Sequence, residues 1–351
     1  MSIQYDKIGI LGGSFDPIHY GHLRAAEAVR AEHRLDKIML LPAGNPSFKQ
    51  GSLGATPQQR LDMCNLAASA FPNFFVDSTE IYREGVTYTI DTLRHFKEQM
   101  PNAQLYFLLG ADAMKSFHKW RNSKEILKLC ALIEMPRTDE DISSTKIRDA
   151  IANVKPISGL VPRAVEDYIL LHGLYNAHLQ GVAEECVALG KRYGFNESEL
   201  ERIRKAGILH DNAKAFCETA TFEEIAKICE DGNYPLDDFF YTNPAIAHCY
   251  VGAVWAKKKF HVDDEEILEA IANHTFGKPN MSIFGKIVYL TDFYDPNRPQ
   301  TKERIEAKKL AYEDIDKAMI YVLKYTMEHN KQAGKAVHPL SLAALRYLEE
   351  N

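Results

Sequence analysis

The chain has 351 residues, enough for about two domains that each bury a core. A formal net charge of −6 and a pI near 6.1 argue against a nucleic-acid partner, which needs a basic face to release counterions; small phosphorylated ligands stay compatible. No apolar run is long enough to cross a bilayer, no signal-peptide pattern precedes the first apolar run, and six scattered cysteines without a C-x-x-C pair read as reduced thiols of a cytoplasmic protein.

Lys7 to Leu11 has the continuous apolar character of a buried parallel strand, and Leu23 to Ala31 has helical spacing. Between them lies Gly12-Gly13-Ser14-Phe15-Asp16-Pro17-Ile18-His19-Tyr20-Gly21-His22. Paired glycines let backbone approach a ligand, and the helix that follows offers unpaired amides and a positive dipole end to phosphate. His19 and His22, one turn apart, can face the same anion.

Strand and helix then alternate. Lys37 to Pro42 reads as a strand, Gln58 to Ala70 as a helix capped by Thr56 and opened by Pro57, and Phe74 to Asp77 as a strand. Tyr88 to Gln99 reads as a helix, Gln104 to Leu109 as a strand ending in Gly110-Ala111-Asp112, and Lys124 to Leu129 as a helix. Such alternation predicts a parallel sheet covered by helices on both faces, with ligands beyond the carboxyl ends of the strands. Ser143, Ser144 and Thr145 at a helix start, with Arg148 one turn on, form a further set of phosphate donors.

His19-Tyr20-Gly21-His22 resembles the H-x-G-H signature of the nucleotidyltransferases, and Gly12 to Leu23 is similar to the bacterial nicotinate-nucleotide adenylyltransferases. Pro42-Ala43-Gly44 with Lys49, Thr87 to Leu93, Gly110-Ala111-Asp112 with His118-Lys119-Trp120, and Ile142 to Arg148 extend the likeness. The resemblance implies a Rossmann-like domain that transfers AMP from ATP to nicotinate mononucleotide, forming deamido-NAD and pyrophosphate, with Mg2+ carried in on ATP. It implies that His19, His22, Lys49 and Arg148 serve the phosphates. Gly12, Gly13, Ser14, Phe15, Gly110, Asp112, Ser143, Ser144 and Thr145 would hold ATP. Trp120 would stack on the pyridine ring, and Thr87 with Tyr88 would hold its carboxylate. Two departures stand out: Phe48 precedes Lys49 where relatives commonly have histidine, and Trp120 to Ile142 is shorter than the strand and helix usually fitted there, so a trimmed sheet edge is expected.

Residues 1–174 are therefore expected to form the first domain and residues 175–351 the second. Val161-Pro162 opens a helix through Leu171, and His172 to Tyr175 closes the first domain as relatives' C-termini do. From Tyr175 to Glu350 apolar residues recur at three- and four-residue spacing, which predicts a helical bundle. Within or at the ends of its helices stand His178, His210, Asp211, His248, His274 and Asp292. Imidazoles suit iron, manganese or zinc, a carboxylate directly after a histidine can bridge two ions, and the spacing is far too long for a zinc finger. His33, His95, His261, His329 and His338 read as core or surface groups.

Tyr175 to about Arg298 resembles the HD-domain family that hydrolyses diadenosine tetraphosphate symmetrically to two ADP. The likeness rests on His178 to Val182, Ala206 to Lys214, His248 with Gly252-Ala253, Asn273 to Pro279 and Lys286 to Asp292; Cys249 replaces a glycine common after the third histidine. It implies a two-metal site, iron favoured and manganese an alternative, in which Asp211 bridges and water is activated against phosphorus. Lys214, Lys278 and Arg298 could hold the polyphosphate. Thr301 onward carries no chemistry, and His338-Pro339 breaks the run before a last helix, Ser341 to Glu349. The sequence leads to a bifunctional enzyme acting on small nucleotides. Two alternatives stay open, a first domain that only binds nucleotide and a second that hydrolyses another nucleotide; so do oligomeric state and the choice between nicotinate and nicotinamide mononucleotide.

Overall fold

The computed structural model describes residues 6–44, 54–136 and 142–351. It divides into two compact units, one of Met1–Asn153 with Ile157–Tyr168 and one of Val154–Pro156 with Ile169–Asn351.

The first unit is a five-stranded parallel sheet in the order β3-β2-β1-β4-β5. Its elements run β1 (Lys7–Gly13), α1 (Tyr20–His33), β2 (Lys37–Pro42), α2 (Pro57–Ser69), β3 (Phe74–Val76), α3 (Thr89–Gln99), β4 (Gln104–Leu109), α4 (Ala111–Ser116), α5 (Ser123–Leu129), β5 (Ala131–Glu134), α6 (Ser144–Ala152) and the start of α7 (Arg163–His172), whose last residues, from Ile169, belong to the second unit. The central strand β1 pairs Leu11 with Leu40 on one side and with Leu108 on the other. Ile8, Ile10, Leu40 and Leu108 are all at most 1% exposed. Burying each such side chain stabilises the fold by about 1.5–3 kcal/mol, and burial on both faces is what a parallel sheet demands of its strands. The strand order reverses at β1, so β1 and β4 diverge to different sides and leave a crevice at their carboxyl ends.

Two boundaries differ from the sequence reading. Helix α1 begins at Tyr20 because His19, in extended conformation, is its N-cap. The expected trimming of the sheet edge does not occur: β5 pairs with β4 from Tyr106 with Ala131 to Leu109 with Glu134. Four residues suffice for an edge strand when only Ile133 among them needs burial. Helix α2 follows the expected cap, with Thr56 and Gln59 forming a reciprocal capping box.

The second unit is helical: α8 (Ala177–Arg192), α9 (Glu197–Leu209), α10 (Lys214–Cys217), α11 (Phe222–Asp231), α12 (His248–Lys258), α13 (Glu265–Asn273), α14 (Ile283–Phe293), α15 (Lys302–Glu313), α16 (Ile315–Gln332) and α17 (Pro339–Glu350). Val182, Cys186, Ile203, Leu209, Val251, Ile271, Ile287 and Leu290 fill its core. Gly207 is required by close approach, because a Cβ there would lie 2.9 Å from the Ala183 backbone. The six cysteines are free and buried, and among the described residues no helix is long and apolar enough to cross a membrane.

Candidate functional sites

In the first unit β1 delivers the glycine–histidine segment to the carboxyl edge of the sheet. Phe15 takes a left-handed conformation at φ 50°, and its ring packs edge-on to His22, centroids 5.2 Å apart. Gly12 and Gly13 make room inside the protein: a Cβ on them would come within 3.1 Å of Phe107 and Phe15 respectively. Open space lies instead at Gly110, the N-cap of α4, where a Cβ would meet nothing within 4 Å. Asp112 stands in the first turn of that helix.

His19 and His22 stack with centroids 3.7 Å apart, and the His22 amide donates to His19 Nδ1 over 3.4 Å. That bond leaves the hydrogen on His19 Nε2. Burial holds the His19 imidazole down to about 4, so at neutral pH it is an uncharged donor. Gly21 is fixed by this pair, since a Cβ there would sit 3.0 Å from His19 Nδ1.

The segment around Ser143, more than a hundred residues away in sequence, closes on this turn. Ser143 caps α6 by accepting from the Lys146 amide. Ser144 Oγ donates to the Pro17 carbonyl at 2.9 Å, and Arg148 donates to the Asp16 carbonyl at 2.6 Å and to Thr145 Oγ1 at 3.4 Å. Asp16 in turn accepts from the Gly54 and Ala55 amides, while buried Arg60 donates to the carbonyls of Ser14 and Gly44. The two proposed phosphate segments thus form one braced rim.

The other residues expected at this site are placed as follows. Thr87 is buried, and Tyr88 caps α3 with its ring under the Arg121 guanidinium, 4.5 Å from the centroid. Trp120 packs on Phe107 and Phe117 at 6.0 and 5.6 Å, so part of its ring belongs to the core. Lys49 and Phe48 lie outside the described residues.

In the second unit all six expected ligands converge, each delivered by a helix end. His178 is in the first turn of α8, His210 caps the end of α9, His248 opens α12, His274 ends α13 and Asp292 is near the end of α14. His178 Nε2 lies 3.2 Å from His210 Nε2, and His248 Nε2 lies 3.2 Å from His274 Nε2. Asp211 stands between the pairs. Its Oδ1 is 3.1 and 3.4 Å from His248 and His274, and its Oδ2 is 3.5 and 3.6 Å from His178 and His210. Asp292 Oδ1 adds to the His178–His210 pair at 3.3 and 3.7 Å.

The outer ring nitrogens decide what this cluster can hold. Each Nδ1 faces an acceptor: Asp295 for His178 at 2.8 Å, and the carbonyls of Gly207, Ala245 and Ile271 for His210, His248 and His274 at 2.7, 2.9 and 2.7 Å. The hydrogens therefore belong on Nδ1, and four Nε2 lone pairs and two carboxylates point at one another. A group of acceptors at such distances is stable only around cations, either protons or metal ions. Burial would raise the Asp211 carboxyl, yet His210, His178, His248 and His274 hold it well below the usual range. For His178, burial is outweighed by Asp211, Asp292 and Asp295, and its imidazole is raised. The donor set fits two ions sharing Asp211.

Two of the three expected cations border the cluster. Lys214 Nζ is 2.7 Å from Asp211 Oδ2 and Arg298 is 2.7 Å from Asp292 Oδ1, whereas Lys278 pairs with Glu269 at 3.0 Å. The sequence reading missed Asp295, fully buried behind His178; its signal was a second aspartate three residues after Asp292.

Comparisons with known proteins find matches to each half of the chain. The cytidylyltransferase-like family model matches residues 10–150 and the HD-domain model residues 175–297. A protein of Thermoanaerobacter sp. (strain X514) named "Probable nicotinate-nucleotide adenylyltransferase" is 41% identical over 198 residues, 48% of this chain and 94% of its own. One of Mycoplasma genitalium named "Probable nicotinate-nucleotide adenylyltransferase/Ap4A hydrolase" is 29% identical over 354 residues, 91% of this chain and 97% of its own. A solved structure from Clostridium acetobutylicum, described as a "predicted HD superfamily hydrolase involved in NAD metabolism", aligns with 59% of this chain and 97% of that one at 31% identity and a TM-score of 0.47.

Proposed function

Because the chain belongs to the nicotinate-nucleotide adenylyltransferases through its first half and carries an HD domain in its second, we propose a bifunctional nucleotide enzyme. Its first activity transfers AMP from ATP to the phosphate of nicotinate mononucleotide and releases pyrophosphate. Its second hydrolyses diadenosine tetraphosphate with one water to two ADP. The carrying observation is the second unit's cluster, four imidazole lone pairs facing two carboxylates with Asp211 between the pairs. The printed name of the Mycoplasma genitalium relative, which spans both halves, supports the pairing of activities.

In the first reaction the substrate phosphate is the nucleophile, so the protein has only to align two anions and stabilise charge on the α-phosphate and the leaving group. Neutral His19 donates Nε2–H to phosphate, and His22 stacked on it adds a second imidazole. Ser143, Ser144, Thr145 and Arg148, held against the Asp16–Pro17 turn, supply the opposite wall. Gly110 and Asp112 take the adenosine side, Thr87, Tyr88 and Trp120 the pyridine side, and Lys49 the triphosphate that enters with Mg2+.

In the second reaction His178, His210, Asp211 and Asp292 would hold one ion and His248, His274 and Asp211 the other, with iron favoured and manganese the alternative. Bound there, the ions supply acidified water and neutralise the departing phosphate. Asp295 fixes the His178 ring, and Lys214 and Arg298 bind the polyphosphate beside the carboxylates they already touch. The test is product analysis of the purified protein with each substrate set. Deamido-NAD with pyrophosphate, and ADP alone, are expected; AMP with ATP from the tetraphosphate would refute the symmetrical cleavage.

A further inference from the structure

Between β3 and α3 the first unit buries a carboxylate, Glu80, which is 7% exposed. Thr92, buried in α3, donates its hydroxyl to Glu80 Oε1 at 2.8 Å and accepts from Arg83 Nη1 at 2.9 Å. The Thr87 hydroxyl, just ahead of α3, donates to the same carboxyl. Burial pushes the Glu80 carboxyl up, while Thr92, Arg83 and Thr87 hold it back.

The main chain of Glu80 is placed as closely as its side chain. A Cβ on Gly44 would overlap the Glu80 carbonyl and come 3.2 Å from Ile81 Cα, so the loops after β2 and β3 meet backbone to backbone. Gly44 is tied in turn to the glycine–histidine segment, because fully buried Arg60 donates to the Gly44 carbonyl at 3.0 Å and to the Ser14 carbonyl at 2.7 Å. A continuous run of contacts, from Ser14 through Arg60, Gly44 and Glu80 to Thr87, therefore joins the phosphate end of the site to its pyridine end.

A buried carboxylate adds little stability, because desolvating it costs several kcal/mol that its partners at best return. What it adds is direction: each acceptor oxygen fixes a hydroxyl hydrogen, and an apolar side chain of the same size fixes none. The entry of α3 depends on this, since its N-cap Tyr88 makes no side-chain cap bond. The Tyr88 ring lies under the guanidinium of Arg121, the residue after Trp120, so this entry is one wall of the pyridine side. Adenylyl transfer to a substrate phosphate depends on how the two nucleotides are aligned, and a misplacement of about 1 Å costs about a hundredfold in rate.

We propose that Glu80 is a positioning residue for the first reaction: through Thr92 and Thr87 it fixes the Thr87–Tyr88 segment, and with it the pyridine end of the acceptor nucleotide, against the Gly44 loop that Arg60 ties to the phosphate turn. Glu80 touches neither nucleotide and acts through the two threonines. This rests on the reading of the first unit as a nicotinate-nucleotide adenylyltransferase and adds to it the group that sets the distance between its two substrates.

Glu80→Ala, Thr92→Val and Glu80→Gln in the full-length protein test it. In steady-state assays Glu80→Ala and Thr92→Val should each raise KM for nicotinate mononucleotide about tenfold or more, with KM for ATP within about twofold of wild type. Glu80→Gln keeps the size and one acceptor oxygen and should return KM to within about threefold of wild type. Hydrogen–deuterium exchange should speed about tenfold or more in Glu80→Ala peptides spanning 79–93 and stay at the wild-type rate elsewhere in the first unit. An equal rise in both KM values, a glutamine variant as impaired as the alanine one, or unchanged exchange in those peptides overturns the assignment. If the wild type forms no deamido-NAD while exchange in Glu80→Ala rises in those peptides alone, the functional reading fails and the positioning of the α3 entry stands. If every variant forms deamido-NAD with wild-type constants, the positioning role fails and the functional reading stands.

Discussion

Replacing Asp211 by asparagine keeps the shape of the side chain and removes the one charge shared by both histidine pairs. In the metal-free protein the cost is small. Lys214 loses its carboxylate partner, but its side chain is 31% exposed and relaxes into water, so a change of about 1 kcal/mol or less is expected. The metal-loaded protein behaves differently. An ion that binds only the folded state contributes RT ln(1 + [L]/Kd), about 2.7 kcal/mol at a hundredfold excess over Kd. For a unit of this size 1 kcal/mol moves the melting midpoint by roughly 2–4 °C, so one ion should raise it by roughly 5–10 °C. Melting curves recorded with and without chelator, beside metal content by mass spectrometry, measure this directly. The wild type should lose that increment on chelation, and Asp211→Asn should melt at the chelated temperature under both conditions. A variant that keeps two ions per chain and the full increment would refute the bridging role.

Three further outcomes follow from individual contacts. Gly21→Ala should hold or raise stability, because alanine favours a helix over glycine by about 1 kcal/mol; yet its Cβ displaces the His19 ring, and kcat for adenylyl transfer should fall roughly 10- to 100-fold in steady-state assays. Asp295→Asn should weaken metal binding about 10- to 100-fold in chelator competition, because His178 then loses the carboxylate that fixes its tautomer. The His19 imidazole titrates at about 4 when folded and near 6.5 when unfolded, so below 6.5 the unfolded chain binds the proton preferentially. Its contribution is intact above pH 6.5 and lost as pH falls to about 4, on the order of 3 kcal/mol. Denaturant titrations of His19→Gln should show a flatter loss across that window.

How much the sequence reveals depends on whether the signal is local. The turn from Gly12 to His22 carries its strand, glycines and histidines in one stretch, and the helix ends that deliver the six ligands are written beside them. Contacts between elements are hidden. Gly12 and Gly13 look like openings for a ligand, and only the fold shows Phe107 and Phe15 filling the space. Lys278 is a plausible phosphate ligand by its neighbours in sequence, but Glu269, one helix back, takes it. The edge strand β5 is too short and too mixed to stand out without β4 beside it. His338 reads as an ordinary core histidine, and it is buried as such.

Whether two independent sites in one chain act on phosphoanhydrides is decided by the chromatographic product profile of His19→Ala in a single incubation with ATP, nicotinate mononucleotide, diadenosine tetraphosphate and metal. ADP at the wild-type rate and deamido-NAD reduced by at least a hundredfold are expected. Loss of both products from a folded protein, or deamido-NAD at the wild-type rate, would contradict the two-site assignment.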